Sequence, residues 1–64
     1  MNVSKNKILL LIAEKGLNQS KLADKANISR GTLSVIINGK SCRPETVLRL
    51  ANALDVPINS IIEN

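Results

Sequence analysis

The chain has 64 residues, 44% of them hydrophobic and 22% charged, and nine Lys and Arg against five Asp and Glu leave a net charge of +4. A chain this short forms one domain, 1–64, and buries only about 60% of the surface its unfolded form exposes; its core is wholly aliphatic, because Phe, Tyr and Trp are absent. The absence of His and the single Cys exclude histidine acid–base chemistry, a Cys–His nucleophile pair and a zinc site, so no enzyme, cofactor or metal is expected.

From the amino end, Ser4 is placed to cap a first helix running to about Lys15, with Gly16 as its stop. At 100° per residue Ile8, Leu11 and Ile12 share its inner face, which leaves Leu9 and Leu10 on the other side. The apolar run 8–13 is far too short for the ~20 residues that cross a bilayer, and with Glu14 behind it and no cleavage site it makes a poor signal peptide; a cytoplasmic protein is expected. A second helix from Asn18 to Ala26 buries Leu22, Ala23 and Ala26, and Asn27 tolerates the left-handed conformation of a sharp turn. A third follows within Ser29–Lys40, with Leu33, Ile36 and Ile37 inward and Asn38-Gly39-Lys40 ending it. Pro44 suits the first turn of a fourth helix reaching about Leu54, with Val47, Leu50, Ala51 and Leu54 inward. Pro57 opens a short fifth helix carrying Ile58, Ile61 and Ile62. No segment sustains the period-two alternation of a strand.

The third helix starts against two local rules. Arg30 puts a positive charge at the positive end of the helix dipole, and Gly31 costs about 1 kcal/mol relative to alanine in a helix. Two short helices joined around Asn27 make a helix-turn-helix pattern, about 18–38. Between Lys25 and Pro44 there is no acidic residue, while Lys25, Arg30, Lys40 and Arg43 all fall there. That charge alone fits a solvated face and a footprint for a polyanion equally well. Cys42 has no partner for an internal disulfide, which accords with a reducing compartment, and reads as a bystander.

The segments NQSKLADKANISRGTLSVIINGK and RPETVLRLANALDVP resemble the lambda-repressor-like helix-turn-helix family, the XRE family of bacterial and phage regulators that includes repressors and Cro-like proteins. The resemblance runs from about Ile8 to Ile62. It implies an all-α, compact five-helix DNA-binding domain, usually a homodimer, that regulates transcription from an operator of two half-sites. By position, it places Arg30, Gly31, Ser34 and Val35 at base edges and Asn18, Gln19, Asn38, Lys40 and Arg43 at phosphates. Two departures occur together. Where many members pair an Arg on the first helix with a Glu on the third, this chain has Ile12 and Ile37, a joint change that suggests the two side chains touch.

The residue chemistry suits those roles. With Leu33 and Ile36 inward, the helical wheel turns Gly31, Ser34, Val35 and Asn38 outward. An Arg30 guanidinium matches the O6 and N7 acceptors of guanine, Gly31 permits close approach to the groove, Ser34 bonds several bases, and Val35 fits a thymine methyl. Asn18 and Gln19 sit where the free N–H groups at a helix start suit a phosphate, with capping as the plainer role for Asn18. The lack of aromatic rings favours double-stranded over single-stranded DNA. Ile58, Ile61 and Ile62 exceed what a short terminal helix needs for docking and are the candidate dimer surface, with Leu9 and Leu10 as a second. The competing reading is a protein-binding module, an antitoxin or antirepressor, gripping its partner through Leu9, Leu10 and Val35.

Overall fold

A computed structural model describes residues 1–63 and contains four α-helices: α1 Lys5–Glu14, α2 Gln19–Ala26, α3 Arg30–Ile37 and α4 Pro44–Leu54. The first three begin on side chains that accept a free backbone N–H: Ser4 Oγ from Lys7 (3.3 Å), Asn18 Oδ1 from Lys21 (2.8 Å) and Ser29 Oγ from Thr32 (3.0 Å). The fourth has no side-chain cap and starts on Pro44, with Glu45 in its first turn facing the positive dipole end.

Three helices end alike. Gly16, Asn27 and Asp55 adopt the left-handed conformation (φ 66°, 58° and 57°). In each case the following residue, Leu17, Ile28 or Val56, donates its N–H back five residues, to Ile12, Ala23 and Ala51 respectively. Those three apolar residues are partly buried against the core, as the Schellman motif requires.

The core contains Val3, Ile8, Ile12, Leu22, Ala23, Ala26, Leu33, Ile36, Ile37, Val47, Leu50, Ala51, Leu54 and Ile61, and no buried polar side chain occurs among the described residues. Helix α2 packs against both α3 and α4; its alanines at 23 and 26 are the small side chains that let helices approach closely. Ile12 and Ile37 are buried in the same cluster, so neither position has room in water for a charge.

The expected fifth helix is instead a single 3-10 turn, Ile58–Ser60, packed on α4. Its continuation is diverted by the amino-terminal residues. Val3 bridges Ile62 in antiparallel fashion, Ser4 N–H donates to the Ile61 carbonyl (2.7 Å), and Glu63 N–H donates to the Asn2 carbonyl (3.0 Å). The Glu63 N–H, which a helix would donate to the Asn59 carbonyl, is instead taken by Asn2 at the chain's other end. This pairing buries Val3 and Ile61. Ile61 thus belongs to the chain's own core and offers no surface to a second copy, whereas Ile58 and Ile62 remain partly exposed.

Candidate nucleic-acid interface

Helix α3 buries Leu33, Ile36 and Ile37 and turns Arg30, Gly31, Ser34 and Val35 to solvent, all four of them exposed. The inward triad sets the helix's rotation, and the outward set follows from it. Among the described residues nothing explains the poor start of α3. Among the described residues the sole ion pair joins Arg49 and Glu45 one turn apart on α4 (3.2 Å), so Arg30 has no intrachain counter-charge. A Cβ added to Gly31 would meet nothing within 4 Å. Packing therefore does not require glycine there.

Ser29 and Thr32 close the front of the helix. Ser29 Oγ donates to Thr32 Oγ1 (2.7 Å) while accepting from the Thr32 N–H, which occupies the Thr32 hydroxyl at the helix edge. At the other end Gly39 has φ +113°, a conformation that side chains rarely adopt, and the Lys40 N–H returns to the Val35 carbonyl (3.0 Å). Lys40 is thereby swung out of the helix and into the loop that leads to α4.

The consequence is a groove of about 350 Å³ that brings Val35, Lys40 and Arg43 together, lined also by Thr32, Ser41 and Cys42. It joins one residue expected at bases to two expected at phosphates, with both cations free of ion pairs among the described residues. Asn18 and Gln19 are exposed at the start of α2; the side-chain Oδ1 of Asn18 is engaged in capping, while its amide N–H groups have no hydrogen-bond partner among the described residues. Asn38 is more committed. Its Nδ2 donates to the Ser34 carbonyl (2.8 Å), and its Oδ1 accepts from Lys5 Nζ (3.3 Å). Cys42 is half-buried in the groove wall, and burial pushes its thiol pKa up, partly offset by the nearby Met1 ammonium. A second concavity, between the end of α2 and α4, holds Lys25, Asn27, Arg49 and Asn52 and none of the expected DNA-contact residues.

Two groups next to this face escape a sequence reading. Asn2 reaches the Gly39 carbonyl and Lys5 reaches Asn38, both across more than thirty residues of chain, with no local pattern to announce them. Leu48 is also exposed (46%), on the outer side of a helix whose periodicity draws attention only to its inner side.

Among the described residues no group of three or more His, Cys, Asp or Glu could hold a metal ion, and no helix is long and apolar enough to cross a membrane. No curated protein sequence matches the chain. The family model described as Helix-turn-helix matches residues 8–61, from α1 through the terminal 3-10 turn, and the chain belongs to this family, the XRE-type helix-turn-helix of the lambda repressor and Cro.

Proposed function

We propose that the protein is a sequence-specific, double-stranded-DNA-binding transcriptional repressor of the cytoplasm that lays α3 in the major groove. The observation that carries this reading is the outward face of α3: among the described residues Arg30 has no counter-charge and Gly31 no packing partner, and Ser34 and Val35 are exposed beside them. In this reading Arg30, Gly31, Ser34 and Val35 meet base edges, and Asn18, Gln19, Lys40 and Arg43 meet phosphates. Asn38 contributes through the amide hydrogen not used on Ser34.

One such module touches few bases, and two copies on half-sites about 34 Å apart would supply the rest. The Cα trace measures 25 × 21 × 18 Å. A side-chain shell of about 3 Å at each end extends the long dimension to roughly 31 Å, so copies with their long axes along the duplex would lie about 3 Å apart. The surface available near the carboxyl end is Ile58 and Ile62, with Leu9 and Leu10 of α1 as the second candidate.

The test is in vitro selection of a duplex followed by comparison of wild type with Arg30→Ala. The variant should lose about 1–3 kcal/mol at one base position while keeping its affinity for unrelated sequences. An equal loss on every sequence would reduce Arg30 to a phosphate contact. The exposed Leu9, Leu10 and Val35 favour a second reading, an antitoxin or antirepressor that binds protein. Such a module leaves duplex DNA unshifted at every salt concentration.

A further inference from the structure

The loop between α3 and α4 is tied down by the amino-terminal residues. The Lys40 N–H closes α3 on Val35, and the Arg43 carbonyl opens α4 by accepting from Thr46 and Val47. Between those points the loop's hydrogen bonds, among the described residues, run to Met1, whose ammonium donates to Ser41 Oγ (3.2 Å) and to the Cys42 carbonyl (2.9 Å), and at the loop's root Gly39 is held by Asn2. Asn2 Nδ2 donates to the Gly39 carbonyl (2.8 Å), and the Cys42 N–H donates to the Met1 carbonyl (2.8 Å). The Ser41 hydroxyl stands 3.4 Å from the same Met1 oxygen. On its other side this stretch pairs with the carboxyl end through Val3 and Ile62 and is anchored by buried Val3. An exposed loop with Gly39 at its root would otherwise be among the most mobile parts of the fold.

We propose that Asn2 is a positioning residue of the DNA-binding surface, which through its bond to the Gly39 carbonyl holds the loop so that Lys40 meets a phosphate. The inference rests on the DNA-binding reading above. Its physical content is preorganisation: a lysine on an ordered loop gives up less conformational freedom on binding than one on a loose loop. Asn2 is itself exposed, so its loss should leave the fold in place.

The probe is a mixed-sequence duplex about two helical turns long, titrated over a range of salt with the whole chain as wild type, Asn2→Leu, Asn2→Gln, Lys40→Ala and the Asn2→Leu/Lys40→Ala double variant. Asn2→Leu preserves the side chain's size and removes the donor. It should weaken binding about three- to tenfold at low salt, and the magnitude of its log K against log salt slope should fall toward that of Lys40→Ala, which loses about 0.9 for one phosphate. Asn2→Gln, which still donates, should recover most of the slope. Because Asn2 acts through Lys40, the double variant should bind no more weakly than Lys40→Ala alone. A merely structural role would lower the melting temperature without moving the slope.

Additive losses in the double variant, or an Asn2→Leu slope equal to that of wild type, would overturn the inference while leaving DNA binding intact. A wild type that shows no salt-dependent binding to the duplex would overturn both.

Discussion

Replacing Gly31 by alanine sets the stability of the fold against its proposed use. The site is the second residue of α3, and the space where the methyl would go is empty, with no heavy atom within 4 Å. No steric penalty offsets the gain in helix propensity, which is about 1 kcal/mol in a helix interior and somewhat less this close to the end, so a stabilisation of about 0.5–1 kcal/mol is expected. For a domain of this size that raises the midpoint of thermal unfolding by roughly 2–8 °C. In the proposed complex the same methyl would stand between the helix and the groove, and a shift of the helix outward would lengthen the neighbouring contacts proposed for Arg30 and Ser34. Affinity for the selected duplex should fall about tenfold, which is about 1.4 kcal/mol. The assays are a circular dichroism melt at 222 nm and a mobility-shift titration on the same two proteins. Opposite movements in the two assays are the mark of a residue retained for binding. A variant that is more stable and binds as well as wild type would refute close approach at Gly31, and one that is less stable would show that the fold itself requires glycine there.

Ile37→Glu should unfold the domain or cost about 3–5 kcal/mol, because it places an unpaired carboxylate at a position only 3% exposed. If Ile12 and Ile37 adjoin, Ile12→Arg in the same chain should restore part of the lost stability in a chemical denaturation series; no restoration would mean that they do not. Asp55 pairs a left-handed backbone with a negative charge at the negative end of α4. Asp55→Gly, which relieves both, should raise stability by about 0.5–1 kcal/mol, and Asp55→Asn, which removes only the charge, by less; an unchanged or lower melting temperature would contradict that account. Burial raises the Cys42 pKa, so at pH 8 less of it is thiolate than in the unfolded chain. Alkylation by iodoacetamide should accordingly be slower in the folded protein than in denaturant, and equal rates would show the groove wall to be open.

What was legible in the sequence is what is local. Ser4, Asn18, Ser29 and Pro44 mark the starts of the four helices within the reach of three or four residues, and the inward positions repeat at helical spacing over each span. The outward face of α3 follows from its inward triad in the same way. The last segment reads locally as a helix because Pro57 and the isoleucines carry that signal, whereas what decides its conformation is the pairing of Val3 with Ile62. Four residues of extended chain have no period to detect, and their partners lie about forty and sixty positions away. The roles of Asn2 and Lys5 are hidden for the same reason, and Ile61 reads as a surface residue because the strand-like pairing that buries it has no local signal.

The wholly aliphatic core has an optical consequence. With no Trp, Tyr or Phe and no disulfide possible within the chain, the protein contributes almost nothing to absorption or dichroism above 250 nm. Near-ultraviolet dichroism of a complex would then report the bases alone, free of any protein background. Bending, untwisting or unstacking of the duplex under α3 could be followed directly as protein is added, without a label on either molecule.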